Sequence, residues 1–205
     1  MSTDAEVPPR ETGHTPHDWR PARFMVIVAH PDDADFGPAG TAARWIDAGS
    51  VGWLVCCTSG DAGGEDPDID PLELAATREA EQQAAAAIVG YAGVSFLHQP
   101  DGALANDLAL HVVRRLYLFW PNDANVWVDV TATVGRKIDA LRAHATQIRE
   151  PDKLEVRIRE WTAEVGRPVG ADAAESFRLV VIEDDEDEGP SLEAGEATEA
   201  AIEGE

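Results

Sequence analysis

Cysteine is nearly missing from this chain: Cys56 and Cys57 are the only two among 205 residues, and they are neighbours. Without a spaced pair there is neither a disulfide framework nor a Cys-x-x-Cys site, which leaves two thiols expected to lie buried in an apolar run. Positive charge is scarce too. Sixteen Lys and Arg stand against 39 Asp and Glu, a formal net charge of −23. A field of that sign repels nucleic acid and anionic membrane, so neither is expected as a partner. No apolar run reaches the roughly 18 residues of a membrane span, and Met1–Arg20 shows no basic start followed by an apolar stretch. A soluble, cytoplasmic protein is the expectation.

What is present is an ordinary hydrophobic fraction of 44%, enough for one substantial core. Residues 1–22 hold four prolines and no periodicity and read as a loosely ordered lead-in. Residues 183–205 carry 11 acidic side chains and no Lys or Arg, and read as a solvated acidic tail. One α/β domain is therefore expected over 23–182.

The informative stretch runs from Phe24 to Gly37. Residues 24–29 are unbroken hydrophobics rich in β-branched side chains, which predicts a strand buried on both faces at the centre of a parallel sheet. His30-Pro31-Asp32-Asp33 follows where that strand ends, and α/β proteins build their sites outside the carboxyl ends of strands. Two ligands three residues apart in a tight turn can converge on one ion, and Pro31 narrows the backbone freedom between them. Helix capping would account for one Asp, but not for the His and the pair. A nucleotide site fits less well: Gly37 and Gly40 do not complete G-x-G-x-x-G, and two carboxylates repel a pyrophosphate.

Further along, a helix is predicted over 41–48 and a second strand over 51–58, parallel to the first through a right-handed crossover. An acidic, Gly-rich loop spans 58–70; its spacing does not follow an EF-hand, and it could line a pocket. A helix follows over 71–89 with Leu72, Leu74, Ala80, Ala84 and Ile88 as its apolar positions. A third strand is expected at 94–98, a Pro100-Asp101-Gly102 turn after it, and a helix over 106–115. Two strands near 117–120 and 126–130, helices over 135–147 and 153–164, and a last strand at 177–182 complete the reading. His14, His17, His98 and His111 are read as bystanders or structural groups.

Ala29-His30-Pro31-Asp32-Asp33, the Thr58-Ser-Gly-Asp61 turn, Thr77-Arg78-Glu79-Ala-Glu81, Pro100-Asp101-Gly102, and Lys137 with Ala140-Leu-Arg-Ala-His144-Ala-Thr-Gln147 together resemble the PIG-L/LmbE-like family of zinc-dependent N-acetyl-sugar deacetylases. The resemblance implies a three-layer, mostly parallel Rossmann-like α/β fold with helices on both faces. It implies His30 and Asp33 as ligands of a divalent metal, Zn2+, and Asp32 as the general base. It also implies Arg78 and Asp101 on the substrate, an N-acetylated glucosaminyl compound, and a site-facing role for His144. From the residues alone Arg78 could equally pair with Glu81 along its helix.

One departure matters. The family's second signature, His-x-Asp-His, occurs nowhere in this chain, so the third metal ligand and a neighbouring oxyanion-stabilising His are missing with it. A strand–loop–helix unit needs about 30 residues, and the interval before Lys137 is too short to hold one. The expectation is a weakly held metal with impaired deacetylation; the alternative is a catalytically silent relative that binds a sugar or a partner chain. An exposed strand edge would also favour a homo-oligomer.

Overall fold

The computed structural model describes residues 14–63, 69–101 and 114–182. Six strands and five helices follow one another: β1 (Arg23–Val28), α1 (Asp33–Phe36), α2 (Ala39–Asp47), β2 (Val51–Cys56), α3 (Pro71–Val89), β3 (Gly93–Phe96), β4 (Arg115–Phe119), β5 (Val126–Asp129), α4 (Val134–Ala143), α5 (Pro151–Gly166) and β6 (Ala174–Val181). Among the described residues the strands form two three-stranded sheets. In the first, β1-β2-β3, all pairs are parallel, with Val26 opposite Leu54 and Leu54 opposite Val94. In the second, β4-β6-β5, both pairs are antiparallel, with Phe177 opposite Phe119 on one side and Val126 on the other.

The mixed α/β class is as expected; the arrangement differs in three respects. First, β1 is an outer strand of its sheet among the described residues, and β2 is central. Second, the sheet is not mostly parallel throughout, because β6 returns between β4 and β5. Third, helices are described on only one face of β1-β2-β3. Val26, Val28, Leu54 and Cys56 pack there with Ala39, Ala42 and Ala43 of α2, Ala85, Ala86 and Val89 of α3, and Ala140 of α4. The opposite face shows Met25, Ile27, Val51 and Trp53 exposed among the described residues. A continuous apolar run gives no alternation from which a one-sided strand can be read. The helix expected over 106–115 falls mostly on residues outside those described, and Arg115 opens β4 instead of ending a helix.

Sheet β4-β6-β5 closes on α4 and α5 through Val128, Val130, Ile138, Leu141, Leu154, Ile158 and Phe177. His14, His17 and Trp19 lie against this part: His14 stacks on Trp127, the His17 N–H donates to Trp127 O, the His17 Nε2 is 2.8 Å from the Tyr117 hydroxyl, and Trp19 stacks on Tyr117. Cys56 and Cys57 are free and buried, and burial pushes both thiols' pKa up. No helix among the described residues is long and apolar enough to cross a membrane.

Candidate active site

The chain leaves β1 at Val28 and turns sharply. Asp32 has φ 87° and ψ −28°, a left-handed conformation at the N-cap of α1. Asp tolerates this region better than most residues, yet such positions still cost about 1–3 kcal/mol unless the surroundings hold them. They do so here. The Asp32 N–H donates to Gln82 Oε1 at 2.8 Å, and Arg78 donates to Pro31 O at 2.9 Å and Gly60 O at 2.8 Å. Gly60, at φ +67°, has no Cβ to collide with that guanidinium.

On the outer side of the turn the His30 N–H donates to Asp33 Oδ2 at 3.0 Å, and His30 Nδ1 lies 3.4 Å from the same oxygen. Tetrahedral zinc with bonds of about 2.0–2.2 Å has ligand–ligand edges of about 3.3–3.6 Å, so this nitrogen and this oxygen can occupy two corners of one polyhedron. His30 Nε2 is 2.8 Å from Asp101 Oδ1. A proton directed to that carboxylate leaves the Nδ1 lone pair available, the usual carboxylate–histidine support of a metal ligand. The donor set therefore fits a divalent metal in part. No group of three or more His, Cys, Asp or Glu side chains is placed to hold an ion among the described residues, one donor short of the three protein ligands typical of catalytic zinc.

Asp32 sits beside this pair. Burial raises its pKa from 3.8 to about 6, with the Arg78 guanidinium opposing the rise, and its Oδ2 lies 3.6 Å from Arg78 Nη2. At pH 7 the carboxylate is ionised but only about one unit above its pKa, a suitable poise for a general base.

Arg78 and His144, both expected at the site, have other surroundings, and Lys137 of the closing motif lies beside them in the interior. Arg78 is 4% exposed, with Nη1 and Nη2 on backbone carbonyls, so it grips the turn from within the protein. Glu81, the alternative partner along the helix, accepts from Thr146 N–H at 2.8 Å and from the Thr146 hydroxyl. His144 is fully buried and holds Asp35 Oδ2 at 2.8 Å. Lys137 is also buried, donating to Phe36 O, Gly37 O and Glu175 Oε1, the last at 2.8 Å. Glu175 in turn accepts from the Gly40 and Thr41 N–H groups. The closing motif thus supports the opening one from beneath. His98 lies on the surface next to Ser59 and Glu79, and His111 is outside the described residues.

The residue missed from sequence is Gln82. The buried stripe of α3 is Leu74, Arg78, Gln82, Ala85, Ala86 and Val89, whereas Leu72 and Ile88, read as apolar anchors, are exposed, as are Ala80 and Ala84. In a helix this rich in alanine no apolar face stands out. The available signal was a polar pair at i and i+4 in register with Leu74.

A βαβ opening with an imidazole and carboxylates at the end of its first strand defines an α/β protein with its candidate site at the carboxyl end of a parallel strand. Residues 25–164 match the family described as GlcNAc-PI de-N-acetylase, PIG-L, and the chain belongs to that family. A similar curated protein is the 1D-myo-inositol 2-acetamido-2-deoxy-alpha-D-glucopyranoside deacetylase of Kineococcus radiotolerans, 28% identical, with 78% of this chain and 41% of that protein aligned. The chain thus spans about two-fifths of that relative's length. Among solved structures it resembles the N,N'-diacetylchitobiose deacetylase of Pyrococcus horikoshii, with TM-score 0.67, 20% identity, and coverage of 78% of this chain and 84% of that one. It also resembles the 4-carboxy-2-hydroxymuconate hydratase of Pseudomonas putida KT2440, with TM-score 0.66, 16% identity, and coverage of 80% and 98%. These structural likenesses concern the fold.

Proposed function

We propose that this chain is an amide hydrolase of the PIG-L type that removes acetyl from an N-acetylated glucosaminyl compound, with a divalent metal held weakly by His30 and Asp33. The observation that carries the reading is the grouping at the end of β1: His30 Nδ1 and Asp33 Oδ2 3.4 Å apart, with Asp101 on the far side of the imidazole. Beside them stands Asp32, with its pKa raised to about 6. Membership of the family and the deacetylase relative support the reaction class. Zinc in such a place would polarise the acetyl carbonyl and acidify water.

The protein's own contribution is proton handling and orientation. Asp32 takes a proton from the water that adds to the carbonyl carbon. As the C–N bond breaks, the leaving nitrogen gains a proton, and the products are acetate and a free amine. Asp101 fixes the His30 ring, and Arg78 holds the peptide before Asp32.

A second reading, a catalytically silent relative that binds a sugar, is favoured by the missing third donor among the described residues. Acetate release from N-acetylglucosaminyl test substrates, measured with wild type and Asp32→Asn beside metal content, separates the two. The proposal expects slow release abolished by Asp32→Asn with metal uptake retained; release equal in both proteins, or none from wild type saturated with metal, contradicts it.

A further inference from the structure

We propose that Gln82 is a positioning residue for Asp32, holding the backbone of the base in its left-handed turn from the buried side of α3. The Asp32 N–H points inward, away from solvent, and needs an acceptor there. Gln82 Oε1 supplies it at 2.8 Å. At its other end Gln82 Nε2 donates to Asp35 Oδ2 at 2.8 Å, and His144 Nε2 holds the same oxygen at 2.8 Å. Asp35, Gln82 and His144 are all fully buried.

This arrangement permits one orientation of the amide only. A flipped Gln82 would set its NH2 against the Asp32 N–H and its oxygen against the Asp35 carboxylate, two repulsive pairs in place of two hydrogen bonds. The side chain is therefore locked by both neighbours, and locks Asp32 in return. One helical turn earlier on the same stripe, Arg78 holds Pro31 O, so α3 grips two consecutive residues of the turn. Gln82 bonds the peptide of Asp32 and not its carboxylate, which stays free to accept a proton. Naming Asp32 the base rests on the function proposed above; the grip on its backbone does not.

The test is amide hydrogen exchange in the full-length, metal-free protein, followed at Asp32 and, as a measure of global opening, at the amides of β2. Wild type should show Asp32 protected. Gln82→Met, of similar volume but unable to bond at either end, should speed Asp32 exchange by about tenfold or more beyond any change in β2. Gln82→Glu, its carboxyl protonated beside the buried Asp35 carboxylate, keeps an acceptor for the Asp32 N–H and a donor for Asp35 and should leave Asp32 protected relative to β2, which preserves the test should the methionine variant not fold. Where acetate release is measurable, Gln82→Met should lower kcat with KM unchanged. An unprotected Asp32 amide in wild type, equal acceleration of Asp32 and β2 in Gln82→Met, or loss of Asp32 protection in Gln82→Glu would each overturn the proposal. Failure of deacetylation alone would leave the exchange result intact and count against the proposed function.

Discussion

Asp32 carries an ionisable group where the fold disfavours its charge, and this links pH to stability. With a folded pKa of about 6 against an ordinary 3.8, the folded protein binds this proton more tightly than the unfolded chain. The resulting contribution is fully present below about pH 4 and is lost as pH rises through about 6, amounting to at most about 3 kcal/mol. Asp32→Asn removes the effect. Denaturant unfolding of both metal-free proteins at pH 4 and pH 7 should show wild type losing stability relative to the variant over this interval; parallel behaviour would contradict the burial of Asp32. In catalysis the acid limb should fall at or below about pH 6, since a nearby dication lowers the pKa of a carboxylate further. Asp101 acts one bond further out. Asp101→Asn should weaken divalent-metal affinity by about 10- to 100-fold, read by calorimetric titration, while an unchanged affinity would show that the His30 ring needs no such support.

At the level of elements, α4 supports α1 from below. The Lys137 ammonium satisfies the carbonyls of Phe36 and Gly37 at the end of α1 and pairs with Glu175, with both side chains buried. Lys137→Met would leave Glu175 a buried carboxylate without its cation, and should cost about 3–5 kcal/mol in denaturant unfolding. Adding Glu175→Gln to that variant should recover part of the loss, and a purely additive double variant would contradict the coupling. The opening turn was legible from sequence because a His and two carboxylates after an apolar run have little structural use together. The inward roles of Lys137, His144 and Arg78 were not, since a motif shows that residues share a place without showing which way each faces. Gln82 was hidden for another reason: with alanine on every side of α3, periodicity marks no buried face, and only contact with Asp32 and Asp35 reveals it.

For the whole molecule, the described structure is a parallel sheet covered on one face, joined to an antiparallel sheet that closes over α4 and α5. Unbroken apolar strands predicted burial on both faces, because sequence runs record hydrophobicity and not the neighbour that covers it. Val51 is 53% exposed and Leu54 is fully buried, so the two faces of β2 should respond differently. Val51→Lys should change stability by no more than about 0.5 kcal/mol, whereas Leu54→Ala should cost about 2–5 kcal/mol; a large loss from Val51→Lys would show that this face is covered. The most direct measurement is zinc content after exhaustive dialysis, taken together with the rate of deacetylation of an N-acetylglucosaminyl substrate at saturating metal. With two donors at the end of β1, zinc should be retained well below one equivalent and turnover should fall about 10²- to 10³-fold or more below a complete site, the loss that follows removal of a single oxyanion donor. Stoichiometric zinc after dialysis with turnover near the enzyme median of about 10 s⁻¹ would contradict the account.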